Sequence, residues 1–162
     1  MAMYMKIEGI EGECTQKGHE KWFDIQTMSI GFQNMGGGMP SSSGGRVGGE
    51  PVCGEMSISM PGCSALPTIT KYLLTGTTVK SIEIQSVTTT NNQEVIYSSW
   101  SFKDCAFSSI ALSDSGEGAS RMSVSLSISY TKKVFKVTPI SDDGKAGSAV
   151  ELKYNVAKKA AE

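Results

Sequence analysis

The sequence predicts a mainly β fold, an antiparallel barrel or sandwich with one helix packed at its side or end. Three observations carry this expectation. Apolar residues recur at every second position in several stretches, most strictly where Val124, Leu126 and Ile128 alternate with Ser123, Ser125, Ser127 and Ser129. Turn residues separate these stretches at short intervals. A helical apolar stripe occurs in one segment only, residues 64–75.

The elements follow in order. Residues 4–10 alternate loosely and stop at Gly12, and residues 22–32 form a longer second strand after a polar segment. Residues 33–51 hold seven glycines and Ser41, Ser42 and Ser43 without an apolar period, so they read as a long loop. Structureless loops of that length are uncommon in compact domains and usually carry a function. Strand signals resume at 52–60, where Met56, Ile58 and Met60 alternate with Ser57 and Ser59.

For the helix at 64–75, Ser64 is the expected N-cap, Pro67 lies in the first turn where its missing N–H is harmless, and Gly76 ends the segment. Leu66, Ile69, Leu73 and Leu74 form its apolar stripe. Residues 80–89, 94–107, 121–132, 134–139 and 150–156 read as strands, broken by turns at Asn91 and Asn92, at 113–118 and at Asp142 to Gly144. The whole chain, 1–162, reads as one domain, with residues 157–162 a short flexible tail that includes Lys158 and Lys159.

Composition excludes several functions. Charged residues make up 19% of the chain, below the average of about 25%, and the formal charge is -1, so neither nucleic acid nor an anionic membrane surface is an expected partner. Cys14, Cys53, Cys63 and Cys105 lack metal-ligand spacing and read as scattered small thiols. His19 is the one histidine, set among Lys17, Glu20 and Lys21, and reads as a solvated loop residue rather than a catalytic base. No GxSxG turn occurs, and the glycine-rich stretch lacks the GK[ST] ending of a phosphate loop. No catalytic residue, cofactor or metal is expected. The N-terminal stretch has no basic region followed by an apolar run, and no segment approaches the length of a membrane span, so synthesis and folding in the cytoplasm are expected.

What remains is surface. A solvated strand face ordinarily carries Lys, Glu, Arg or Thr, whereas the serine faces here are small, neutral and smooth. Such a face suits a lined passage or a close protein contact, and the chemistry favours assembly over catalysis. A monomeric barrel that holds a small ligand in its core is the rival reading.

Several motifs in order along the chain sharpen this. KIEGIEGE at 6–13 is followed by His19, then Trp22 and Asp24, then Ser29 and Gly31. Later come FKDCAFSSIALSDSGEG at 102–118, MSVSLSISY at 122–130 and DGKAG at 143–147. In this order and spacing the chain closely resembles the hemolysin-coregulated proteins, the tube subunits of bacterial type VI secretion systems. After Gly147 it departs from them, with Ser148, Ala149 and then Lys153, Tyr154 where the family often has Gly-Pro and Gly-Trp.

The resemblance implies a barrel with a flanking helix that closes into a hexameric ring, with rings stacking into a tube inside a contractile sheath. It implies as partners further copies of the chain, secreted effector proteins, and tip and sheath components, and secretion without a signal peptide. A phage-like tail-tube protein of another contractile system is the physically equivalent alternative. On this reading Ser29, Ser57, Ser59, Ser123, Ser125 and Ser127 are expected at the channel or in contact with effectors, with some serine faces meeting a neighbouring subunit. Gly36, Gly37, Gly38, Gly44, Gly45, Arg46, Gly48 and Gly49 are expected at a subunit or ring interface.

Overall fold

A computed structural model describes residues 1–34, 51–118, 121–158 and 160–161. In chain order it contains β1 (Ala2–Ile7), β2 (Phe23–Ile25), β3 (Thr27–Ser29), β4 (Phe32–Asn34), β5 (Pro51–Cys53), β6 (Met56–Pro61) and α1 (Leu66–Thr75). These are followed by β7 (Val79–Thr90), β8 (Gln93–Ser113), β9 (Ser123–Ser129), β10 (Lys132–Val137), β11 (Val150–Asn155) and β12 (Ala160–Ala161).

All strand pairs are antiparallel; β4 and β5 form a separate two-stranded ladder, and the other strands close a barrel from two sheets. One sheet runs β12-β11-β10-β8-β7-β1-β2, and the other joins β3, β6, β9 and the second half of β8. The chain passes between sheets at two corners. At the first, Gln26 alone separates β2 from β3, and its N–H donates to the Ser59 carbonyl at 2.8 Å. At the second, β8 itself bends: residues up to Cys105 pair with β7, and residues from Ala106 pair with β9. Asp104 adopts φ 52° there, a left-handed conformation that turns the strand as a bulge does. Strands that switch sheets in this way make the corners of orthogonally packed barrels.

The interior is filled by the apolar alternate positions of both sheets. Met5, Ile82, Ile84 and Phe102 from one sheet meet Met56, Ile58, Leu126 and Ile128 from the other, all fully buried. Strands β10 to β12 extend the first sheet beyond the barrel, and Trp100 of β8 stacks on Phe135 of β10 at 3.8 Å between ring centroids.

The helix begins one residue later than its sequence signal. Ala65, not Ser64, is the N-cap, and no side chain caps it. The Ser64 N–H instead donates to Glu13 Oε1 at 3.0 Å, so a carboxylate from a distant loop anchors the residue that leads into the helix and sets a negative charge near its N-terminus. Pro67 does lie in the first turn, and Gly76 ends the helix at φ 68°. The Gly76 N–H reaches the Leu73 carbonyl and the Thr77 N–H reaches the Tyr72 carbonyl, closing the last turn. Leu66 and Ile69 are buried, but Leu74 is 77% exposed and lies outside the core-facing stripe expected of it.

His19 is also not solvated. Its ring stacks on Tyr4 at 4.3 Å, meets Trp22 edge-on at 4.8 Å, and its Nε2 lies 2.8 Å from Gln85 Oε1, leaving it 6% exposed. The flanking charges that suggested solvent are exposed, while the imidazole fills a second small core with Tyr4, Cys14 and Val87 beside it. The expected single strand at 22–32 is three short ones, because the chain changes sheets at Gln26 and again after Ser29, where β4 turns to pair with β5. Within the stretch expected as loop, Gln33, Asn34 and Pro51 belong to the β4–β5 ladder. Within the expected tail, Ala160 and Ala161 pair with Asn155 and Tyr154.

Candidate functional site

The serines named from sequence come together on one face of the second sheet. In β9, Val124, Leu126 and Ile128 are fully buried while Ser123 and Ser125 are exposed. The alternation in β6 is the same, with Met56, Ile58 and Met60 inside and Ser57 exposed. Register then aligns the two patterns. Ser57 stands opposite Ser127, Ser59 opposite Ser125, and Pro61 opposite Ser123. On its other side β6 places Ser57 opposite Ser29 and Ser59 opposite Thr27.

The bent half of β8 completes the surface. Ser109 faces Ser127, Ala111 faces Ser125, and Ser113 faces Ser123. One row across the sheet therefore reads Ser29, Ser57, Ser127, Ser109, and the next reads Thr27, Ser59, Ser125, Ala111. Directly opposed residues in such a ladder have Cβ atoms about 5 Å apart, so the hydroxyls form a continuous lattice, and neither row contains a charged or large apolar side chain. Lattice geometry with one hydrogen-bond donor and two acceptor lone pairs per serine suits many polar partners and favours no charge.

The lattice is held at one edge. Ser108 is the extra residue of a bulge between Phe107 and Ser109. Its Oγ lies 3.0 Å from Glu55 Oε2 and 3.1 Å from the Ser127 carbonyl, either of which accepts its proton. Nearby, the Tyr130 hydroxyl donates to the Gly54 carbonyl at 3.1 Å, and burial pushes its ionisation well above the usual phenol range. Tyr130 thereby ties the end of β9 to the approach of β6.

The structure thus places Ser29, Ser57, Ser59, Ser123, Ser125 and Ser127 on one face of the second sheet. Sequence reading missed Thr27, Ser109, Ala111 and Ser113. The signal for the last three was present, since residues 109–113 repeat the small-apolar alternation of β9, but that strand was expected to end at Phe107. The expected interface residues Gly36, Gly37, Gly38, Gly44, Gly45, Arg46, Gly48 and Gly49 lie outside the described residues.

Two other features flank the lattice. An open apolar groove of about 660 Å³ runs between α1 and β8, lined by Leu66, Leu74, Leu112 and Met122 among others. Beside it, Glu13 accepts the Ser64 N–H and approaches Arg121 at 3.8 Å. Hydrogen bonds from Ser64, with Arg121 adding to them, hold the Glu13 carboxyl below the usual glutamate range. Among the described residues no cluster of three His, Cys, Asp or Glu side chains is placed to hold a metal ion, and no helix is long and apolar enough to cross a membrane.

Comparison with solved structures finds the same architecture elsewhere. A structure described as a type six secretion system protein superposes with a TM-score of 0.93 at 19% identity, over 99% of each chain. Hcp1 from Salmonella typhimurium matches with a TM-score of 0.78 at 16% identity, over 99% of this chain and 98% of its own. A type VI secretion system effector from Yersinia pestis matches with a TM-score of 0.74 at 18% identity, over 95% of this chain and 99% of its own. At these identities the likeness shows the fold. Comparison with curated proteins gives no match. The model of the family described as "Type VI secretion system effector, Hcp" matches residues 4–137, from β1 to the end of β10. The chain therefore belongs to the Hcp family of type VI secretion proteins.

Proposed function

We propose that this chain is a structural subunit of the type VI secretion inner tube. It forms hexameric rings, the rings stack, a contractile sheath expels the tube, and effector proteins ride in the channel against the serine lattice. Subunits assemble in the cytoplasm and leave with the tube. The observation that carries this reading is the uncharged hydroxyl lattice on one face of the second sheet. Small hydroxyls bond to varied cargo without selecting for charge and without an adhesive apolar patch. A curved sheet repeated around an axis through head-to-tail contacts gives a lined ring when the rotation closes.

The rival monomeric ligand-binding barrel loses support because the barrel interior is occupied by Met5, Met56, Ile58, Phe102 and their neighbours. A tail-tube protein of another contractile particle shares the geometry, and family membership favours the secretion machine.

Negative-stain microscopy of the purified protein tests ring formation: six-fold rings with an open centre are expected, and monodisperse particles without a hole would sink the proposal. Pull-down of effectors with Ser29→Arg tests the channel role. Intact rings with reduced cargo are expected, whereas undiminished retention of every cargo removes Ser29 from it.

A further inference from the structure

Lys133 is the most deeply buried lysine described, at 4% exposure, and it is buried without a carboxylate. It belongs to none of the ion pairs found among the described residues. Its Nζ lies 3.1 Å from the centroid of the Phe32 ring and 5.2 Å from that of Tyr154, and among the described residues its side-chain hydrogen-bond partner is the Cys53 sulfur at 3.8 Å. An ammonium held this way keeps cation–π attraction but loses most of its hydration. Burial accordingly pushes the Lys133 pKa down, with Cys53 acting against the shift, so the neutral, nucleophilic amine is more accessible than for a surface lysine.

Cys53 is a free thiol, half-buried and so within reach of small solutes. It sits in β5, opposite Phe32 of β4, at the base of the glycine-rich segment. Lys133 sits in β10, paired with Phe102 and Tyr154. The two residues thus stand where the β4–β5 hairpin lies against the extended part of the first sheet.

We propose that Cys53 and Lys133 form an oxidation-dependent covalent link, a sulfenamide, that fastens the β4–β5 hairpin to β10. The oxidant is hydrogen peroxide. In the first step the Cys53 sulfur attacks a peroxide oxygen, the O–O bond breaks, and the products are the sulfenic acid and one water. In the second the Lys133 lone pair attacks that sulfur as the S–O bond breaks. The departing hydroxide takes a proton from nitrogen and leaves as a second water. One S–N bond is made, the sulfur is oxidised by two electrons, and one peroxide is reduced to two waters. A sulfenic acid condenses with a thiol to a disulfide or with a backbone nitrogen to a sulfenamide, and here the Lys133 amine is the nitrogen held beside the sulfur. Two equivalents of an external thiol reverse the link, returning thiol and amine and leaving the external disulfide.

The test is peroxide treatment of the whole folded protein, blocking of remaining thiols, digestion and mass spectrometry. The expected product joins the peptides containing Cys53 and Lys133, is two hydrogens lighter than their sum, and disappears on reduction with dithiothreitol. Cys53→Ala and Lys133→Arg should each abolish it, since guanidinium is not a nucleophile. Wild-type protein oxidised in urea gives a control independent of variant folding: the link should be lost when the two strands separate. Recovery of Cys53 as sulfinic or sulfonic acid with Lys133 still a free amine overturns the proposal, as does equal linkage in the folded and unfolded chain.

Discussion

Ser57 of β6 stands directly across from Ser127 of β9 and, on its other flank, across from Ser29 of β3. It is therefore an interior point of the hydroxyl lattice, with a serine on each side. Replacing it by Arg puts a long cation into a neutral surface without touching the buried residues Met56 and Ile58 on either side of it. Secondary structure and ring formation are expected to survive Ser57→Arg, while capture of effectors falls about tenfold or more, the equivalent of roughly 1.4 kcal/mol or more. Ser57→Thr, which keeps the hydroxyl, should bind as wild type. Comparing the three proteins in one pull-down checks this, and equal loss from Thr and Arg would point to shape rather than charge.

Gly12 is a packing requirement. Its N–H donates to the Lys21 carbonyl at 2.7 Å, and an added Cβ would lie 2.6 Å from the Trp22 carbonyl carbon. Both neighbours are backbone, so no side chain can swing aside. Gly12→Ala is expected to separate residues 12–14 from 21–22 and loosen the stack of His19 on Tyr4. The cost is about 2 kcal/mol, a melting temperature lower by roughly 4–8 °C in a chain of this size. Thermal unfolding measures it, and an unchanged midpoint would mean the two segments are free to part.

How much of this was legible follows from which forces act locally. The alternation at 123–129 fixed which side chains of β9 enter the core, because pleating assigns faces by parity alone. Register was not legible. That Ser57 meets Ser127, and not a residue two along, depends on the Gln26 corner and the Ser108 bulge, which are properties of the closed barrel. His19 was misread for a related reason: its sequence neighbours are charged, but burial is decided by Tyr4, Trp22 and Gln85. Ser64 offered a sound local cap, yet the helix starts one residue beyond it without a side-chain cap, and the Ser64 N–H is taken by the Glu13 carboxylate, 51 positions away.

The four cysteines should differ in reactivity by burial. Cys105 is 0% exposed, and burial, aided by Asp104, pushes its thiol up to about 12. At pH 8 its reactive thiolate fraction is then on the order of one in ten thousand. Cys14 is also buried and shifted upward by burial. Iodoacetamide on the reduced native protein is expected to label the half-buried Cys53 and Cys63 first, Cys14 slowly and Cys105 last. In urea the four should react alike. Early labelling of Cys105 under native conditions would show that the β7–β8 corner opens.

Glu13 gives the fold a pH dependence with a definite sign. Its carboxylate accepts from Ser64 ahead of α1 and approaches Arg121, so the folded chain holds its pKa below the ordinary value of 4.5. The folded state therefore binds this proton less readily than the unfolded one, and the group's contribution is fully present above the unfolded pKa. It disappears as pH falls through the lower, folded value. Glu13→Gln is expected to be less stable than wild type at pH 7, with the N-terminus of α1 the first part to fray, and the difference should shrink below about pH 4.5 as the wild-type carboxylate also becomes neutral. Urea midpoints for both proteins at pH 7, 5 and 3 measure the gap. A gap constant across that range would assign the loss to the shape of the side chain, whereas a closing gap assigns it to the charge that holds Ser64 and faces Arg121 ahead of α1.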